Sequence, residues 1–308
     1  MKIIIFYLKG SVDLIEMSIL DLKDSNTLLS KFIKNNKPFS AVRLGLGQET
    51  YLAFAAANGK SITVDMLKTI GNTNGIYTKT GDINRISSFL RYYIQAFITN
   101  DIQISHTFHH RQIIEIQDIL SKQGTIVPQI HGRVVEPFYL IKEFPEEKPW
   151  THSLLGKKVL IISPFIESFK KQLKVGFTID KNKPIFLEEQ EFTFYKPYNT
   201  LAGNELHEDC LKTLELMIND ISKINFDIAL LSCGSYGPIL CNLIKQKLNK
   251  SAIYMGGGLQ LLFGVKGKRW ETHDIISKII ENSDVPFINP SEDEQIPNYK
   301  IVENGCYW

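Results

Sequence analysis

The segment 226–270, FDIALLSCGSYGPILCNLIKQKLNKSAIYMGGGLQLLFGVKGKRW, alternates short apolar runs with glycine clusters, and that order restricts the chain more than any other stretch. Residues 227–232 are almost wholly apolar and stop at a glycine turn, the pattern of a strand covered on both faces in a parallel sheet. In CGSYG, Gly234 and Gly237 admit positive φ or close backbone approach, and Pro238 suits the first turn of a helix. Over 239–248, Leu240, Leu243, Ile244 and Leu248 recur at helical spacing, so that helix can lay one face on the sheet. Residues 251–255 read as the next parallel strand, ended by Gly256, Gly257 and Gly258. Parallel strands carry ligand sites beyond their carboxyl ends, so both turns belong on one rim, with backbone N–H groups able to meet an anion. Lys266, Lys268, Arg269 and Trp270 follow closely, and cations with an aromatic beside two glycine turns make a phosphate-and-base constellation. The competing explanation is plain turn chemistry and a solvated basic loop, since neither CGSYG nor GGG is a full GxGxxG fingerprint.

At 308 residues the chain can bury a substantial core as one large α/β domain or two smaller ones. The expected fold is α/β, a Rossmann-like, mostly parallel sheet with helices on both faces. The acidic, proline-containing FPEEKPW near residues 143–156 suggests two parts, 1–150 carrying RLGLGQE and 151–308 carrying the nucleotide-type pocket, in one compact unit. In the first part, 17–35 reads as a helix, 39–44 as a strand broken at Gly45 and Gly47, and 49–58 as a helix. Residues 65–101 read mainly as helices broken at Gly81 and Asp82, 101–110 as a strand and turn, 112–121 as a helix and 124–127 as a short strand. In the second, 158–163 is a strand, 167–175 a helix and 208–224 an amphipathic helix.

A formal net charge of +2 offers no broad footprint for a polyanion, so nucleic acid is not an expected partner and anion binding should be local. Cys210, Cys233, Cys241 and Cys306 form no CxxC pair and read as reduced thiols; Cys233, at a strand end, is a nucleophile candidate with no oriented base near it. The apolar run 3–8 is too short for a signal peptide, and no run reaches the roughly 18 apolar residues of a membrane span. The chain therefore reads as cytoplasmic, with peripheral membrane association open.

Other residues carry two readings each. Pro164, Phe165 and Ser168 close the first βα unit and either line the cleft or pack it. His131 and Glu136 in IHGRVVEPF are either an acid/base pair near an acceptor or structural. Tyr236 and Trp270 either stack on a nucleobase or sugar or fill the core, and Trp308 either covers the cleft or packs the C-terminal segment.

RLGLGQE, EPFYL, PWTHSLLGKKVLIISPFIESFKKQ, SCGSYGPIL, YMGGGLQLLFGVKGKRW and ENGCYW resemble a bacterial family linked to surface-polysaccharide synthesis, which in turn looks like the GT-D glycosyltransferases. The resemblance covers most of the chain. It implies a Rossmann-like glycosyltransferase moving a sugar from a nucleoside-diphosphate sugar to a glycan or lipid-linked acceptor. In GT-D enzymes the early motif RxGDGE places carboxylates on a divalent metal at the donor diphosphate. Here Arg43, Gly45, Gly47 and Glu49 match that pattern, while Leu46 or Gly47 stands where the first carboxylate would be. A Mn²⁺ or Mg²⁺ ion would then rest on Glu49, with substrate phosphates and waters completing its shell. Glu49 is alternatively a general base on the acceptor hydroxyl, or a helix-start carboxylate favoured by the dipole. Arg43 either clamps phosphate or pairs with Glu49. The implied donor grip is Gly234, Ser235, Gly256, Gly257, Lys266 and Arg269, with Pro164, Tyr236, Gln260 and Lys268 in the same site; Arg43 and Glu49 are the implied catalytic residues. A nucleotide-binding regulatory or scaffold protein and a nucleotide-dependent hydrolase share these features.

Overall fold

The computed structural model describes residues 19–43, 45, 48–57, 63–105 and 127–308. Helix α1 (Leu22–Lys34) starts where the Asp21 carboxylate accepts the Asp24 N–H and ends with Lys31 and Lys34, both favoured by the helix dipole. Then come β1 (Ser40–Arg43), α2 (Gln48–Ala57), α3 (Val64–Asn74), α4 (Ile83–Ile98), β2 (Ile102–Ser105), β3 (Gln129–His131) and α5 (Phe138–Glu143). The rest is built from β4 (Val159–Ile162), α6 (Ile166–Lys174), β5 (Phe192–Tyr195), α7 (Cys210–Ile221), β6 (Ile228–Leu231), α8 (Tyr236–Leu248) and β7 (Ser251–Tyr254). Three short helices close it, α9 (Gly258–Leu262), α10 (Lys268–Glu271) and α11 (Ile276–Glu281).

The seven described strands form one sheet, in the order β3-β2-β1-β7-β6-β4-β5, and every pairing is parallel. This is the α/β, Rossmann-like architecture, with helices on both faces. Side chains of a strand alternate between faces, and here each face buries its own core. Leu160, Ile162, Ala229, Leu231 and Ala252 point to one core, which takes in residues of α4, α7 and α8; Val159, Ile161, Ile228, Leu230 and Ile253 point to the other, with α1, α5 and α6. Double coverage explains why β4 and β6 are wholly buried runs of Val, Leu, Ile and Ala.

Pairing of β1 with β7, through Ser40 with Ala252 and Ala41 with Ile253, puts strands from 1–150 and 151–308 side by side. The segment between the halves carries buried Trp150, whose backbone N–H donates to Asn26 Oδ1 at 2.6 Å and whose indole N–H donates to Val134 O at 2.7 Å. From β1 the chain steps outward to β2 and β3, whereas β7, β6, β4 and β5 lie on the other side. The crossover from β6 to β7 runs the same way along the sheet as that from β1 to β2, whereas β4 leads outward to β5, so strand order reverses between β6 and β4, the kind of crevice in which open parallel sheets bind ligands.

Helix α8 begins at Tyr236, three residues ahead of the expectation, because Gly237 and Pro238 are taken into its first turn. The helix expected at 112–121 and the residues 124–126 lie outside the described residues; Val127 precedes β3, which starts at Gln129. Among the described residues no helix is long and apolar enough to cross a membrane.

Candidate functional site

A cleft of about 640 Å³ opens at the carboxyl ends of β1, β4, β5, β6 and β7. Gly234 and Gly256 both take positive φ, 55° and 62°, which turns the chain sharply after β6 and β7 without Cβ strain and leaves both turns on the cleft wall. Arg43, at the end of β1, reaches sideways so that Nη1 donates to Met255 O at 2.9 Å, just below Gly256. On the far side of the same turn, the guanidinium of Arg269 faces Gly257 and lies 4.2 Å from the Tyr307 ring centroid. Two arginines thus flank Gly256–Gly257, and both line the cleft. Arg269 is held by the C-terminal segment: its Nη2 donates to Glu303 Oε2 at 2.6 Å and to Cys306 Sγ at 2.8 Å.

Glu49, in the first turn of α2, is 7% exposed and lines the cleft; its Oε2 accepts from Asn74 Nδ2 at 2.5 Å. Gly45 is required by this packing, because a Cβ there would collide with Glu49 Oε1 and crowd the Tyr93 hydroxyl. The Thr50 hydroxyl donates to Gly45 O at 3.2 Å and lies 3.1 Å from the Tyr93 hydroxyl. Burial, with the Glu49 carboxylate nearby, pushes the Tyr93 phenol well up, so it stays protonated.

Of the expected site residues, Arg43, Gly45, Glu49, Pro164, Gly234, Ser235, Tyr236, Gly256, Gly257 and Arg269 line this cleft. Gly47 lies outside the described residues. Lys266, Lys268 and Gln260 stand elsewhere. Helix α10 turns Lys268 out to solvent while Arg269 faces inward, and Lys266 pairs with Glu271 Oε1 at 3.0 Å. Gln260 is buried behind the wall, its amide donating to Tyr307 O at 2.9 Å. The Tyr236 hydroxyl donates to Gly75 O at 3.1 Å and its ring meets Phe89 edge-on, which makes it a wall of the cleft rather than a free stacking platform. Ser235 is 3% exposed, and its Oγ has no hydrogen-bond partner among the described residues.

Trp308 both lines the cleft and anchors its own segment, donating from Nε1 to Glu294 O at 3.0 Å. Trp270 packs beside Gly257 without lining the cleft. Pro164 and Phe165 line it, but Ser168 does not. Its hydroxyl donates to Glu294, whose other oxygen accepts the N–H groups of Glu167 and Ser168 at 2.8 and 3.2 Å. The start of α6, a ready anion site after β4, is therefore filled by the protein's own carboxylate. Neither His131 nor Glu136 lines the cleft. His131 Nδ1 accepts the Arg133 N–H at 3.1 Å, and burial with Arg133 lowers its pKa; Glu136 is buried against Gly258, and burial pushes its carboxyl up against the pull of Arg43 and Arg133. Burial also pushes the Cys233 thiol far up, which opposes a thiolate at the cleft wall.

Among the described residues no three His, Cys, Asp or Glu side chains converge to hold a metal ion. The wall formed by Thr73, Asn74 and residues 197–201 is absent from the sequence reading. Its one local signal is the Asn74–Gly75 dipeptide, a turn mark that says nothing about which strand end it will face.

The fold and cleft define a Rossmann-like α/β protein with two glycine turns and two arginines converging at the strand ends. Comparison of the chain with protein-family models, with curated proteins and with solved structures gives no match.

Proposed function

We propose that this protein is a glycosyltransferase, acting in the cytoplasm, that moves a sugar from a nucleoside-diphosphate sugar to a glycan or lipid-linked acceptor in surface-polysaccharide or glycoconjugate synthesis. The observation that supports it is the placing of Arg43 and Arg269 on either side of the Gly256–Gly257 turn, with the Gly234 turn on the same wall. A diphosphate laid across that turn meets two guanidiniums and backbone N–H groups, the donors that stabilise charge on a leaving diphosphate. The cleft volume falls within the range of small-molecule sites, roughly 300–1,000 Å³. Tyr307 and Trp308 offer an aromatic border for the base, and Glu49 offers a carboxylate for the reacting hydroxyl.

A second reading, a nucleotide-binding protein without catalysis, is favoured by one feature: Leu46 or Gly47 stands where a GT-D carboxylate would be. Incubation with a panel of nucleotide sugars and candidate acceptors, with and without Mn²⁺, separates the readings. Acceptor-dependent release of nucleoside diphosphate supports the transferase, acceptor-free release supports a hydrolase, and tight binding without turnover supports the non-catalytic protein. Arg269→Ala should weaken donor affinity at least about tenfold by calorimetry, a loss of about 1.4 kcal/mol; unchanged affinity removes Arg269 from the site.

A further inference from the structure

A second cavity, of about 470 Å³, shares no lining residue with the cleft. Three elements connect the two places. Helix α6 starts beside Pro164 and Phe165 and brings Leu173 here; α9 starts beside the Gly256–Gly257 turn and ends here at Leu262; β5 starts here at Phe192 and runs to the cleft wall at Pro197. The cavity therefore sits at the amino end of β5, an element's length from the cleft.

Its lining is aromatic. Phe186, Phe192 and Phe263 form a triangle with ring centroids 5.0, 5.2 and 5.3 Å apart, and Phe177 is braced edge-on against Phe287 at 5.0 Å. At such spacings rings attract one another beyond the area they bury, so a further flat ring is favoured beside them. The two charged lining residues, Lys181 and Glu188, are exposed and of opposite sign, so the lining favours neither an anion nor a cation.

One buried polar group is left over. Gln172 is 3% exposed, and its Nε2 donates to Gly264 O at 2.8 Å and Pro286 O at 2.9 Å. Both partners are carbonyls, which only accept, so the amide cannot be reversed. Its Oε1 takes no partner among the described residues and is not sealed off, which leaves an acceptor open to the cavity. Gln190, by contrast, is spent: Oε1 accepts the Leu187 N–H at 3.0 Å and Nε2 donates to Thr151 O at 2.7 Å. The Thr178 hydroxyl likewise donates to Asp180 O at 3.1 Å. Gly264, at φ 67°, holds the arrangement together, since a Cβ there would strike both the Phe177 ring and Gln172 Nε2.

We infer that this cavity is a second ligand site, for a small neutral aromatic molecule with one ring N–H or O–H, the ring lying against the phenylalanines and the donor meeting Gln172 Oε1. An aromatic lining with one placed polar group, at a volume between roughly 300 and 1,000 Å³, is the make-up of a small-molecule site. A ring without a donor leaves the buried acceptor unpaired and binds less well. The site does not depend on the transferase reading of the cleft.

The test is calorimetry on the full chain with three probes: indole, benzothiophene, which keeps the shape and lacks the N–H, and octanol, which keeps a donor on an alkyl chain. Indole should bind saturably, and benzothiophene and octanol about tenfold more weakly. Leu173→Trp, at a lining position 38% exposed, fills the cavity from its rim and should weaken indole at least about tenfold. Gln172→Met should bring indole and benzothiophene to equal affinity; if it does not fold, the wild-type comparison and Leu173→Trp decide. Absence of saturable indole binding, or indole binding unmoved by Leu173→Trp, overturns the site. Equal wild-type affinity for indole and benzothiophene removes Gln172 from it, and octanol binding as tightly as indole overturns the aromatic ligand in favour of an alkyl chain.

Discussion

Arg269 is bound to Glu303 at 2.6 Å across the mouth of the cleft, so the cation best placed for a phosphate already carries a carboxylate. Glu303 sits in a run of three left-handed residues, Glu303 at φ 45°, Asn304 at 57° and Gly305 at 76°, the first two at a conformational cost that glycine avoids. A diphosphate at the Gly257 side meets Nη1 of this guanidinium while Nη2 is held by the carboxylate, so the two anions compete for one cation. The Glu303 side chain is 68% exposed, and exposed pairs contribute at most about 1 kcal/mol. Glu303→Gln should therefore tighten nucleoside-diphosphate binding by up to about fivefold in calorimetry. Weaker binding would mean that Glu303 supports the ligand site instead.

Gly45→Ala should damage both stability and turnover. The added methyl collides with Glu49 Oε1 and presses on the Tyr93 hydroxyl, so the carboxylate must leave its place against Asn74, and overpacking of this kind costs about 1–3 kcal/mol. Thermal unfolding and nucleoside-diphosphate release should fall together. Wild-type values for both would show that the Gly45 turn yields freely.

Asp209 predicts a pH dependence. It caps α7, accepting the Lys212 N–H at 2.8 Å, and Arg85 grips it through Nε at 2.7 Å and Nη2 at 3.0 Å. Burial raises its pKa, but the Arg85 and backbone donors prevail and hold the carboxyl below its usual 3.8. A depressed folded value gives stability that is present above the unfolded pKa and lost as pH falls through the folded one. Asp209→Ala should lose about 1–2 kcal/mol at pH 7, measured by urea denaturation, and the gap should shrink below about pH 3.8. A gap independent of pH would mean that the carboxylate charge contributes nothing.

Cys233 lines the cleft yet should be dispensable for chemistry, since burial keeps its thiol protonated at neutral pH. Alkylation by iodoacetamide at pH 7 should run at least about tenfold slower than for free cysteine, and Cys233→Ala should keep most of the turnover. Loss of turnover with ligand binding intact would restore Cys233 as a nucleophile.

Local pattern explains which parts were readable. Strands β4, β6 and β7 are apolar runs that stop at a turn, and a fully buried parallel strand has few other ways to look. Strand β5, FTFY, escaped because it is an edge strand only partly buried, so no run or strict alternation marks it. The glycine turns and Arg269 were legible because turn chemistry is written in the residues that make it. Lys266 and Lys268 show the limit: KGKRW reads as one cationic cluster, but Lys266 lies ahead of α10 and pairs with Glu271, and the helical turn parts Lys268 from Arg269, so of the three only Arg269 lines the cleft. Asn74 was out of reach for another reason. Its partner lies 25 residues away, and nothing in either neighbourhood records that the start of α2 and the end of α3 will meet.

The Glu294 carboxylate at the start of α6 has a consequence for how the molecule is made. Phe165, at the helix start, offers no oxygen, so the first amides of α6 wait for a residue that lies 127 positions downstream of Glu167. In synthesis from the N-terminus the start of α6 is made 127 residues before the carboxylate that caps it, so those amides rest on water until Glu294 has followed.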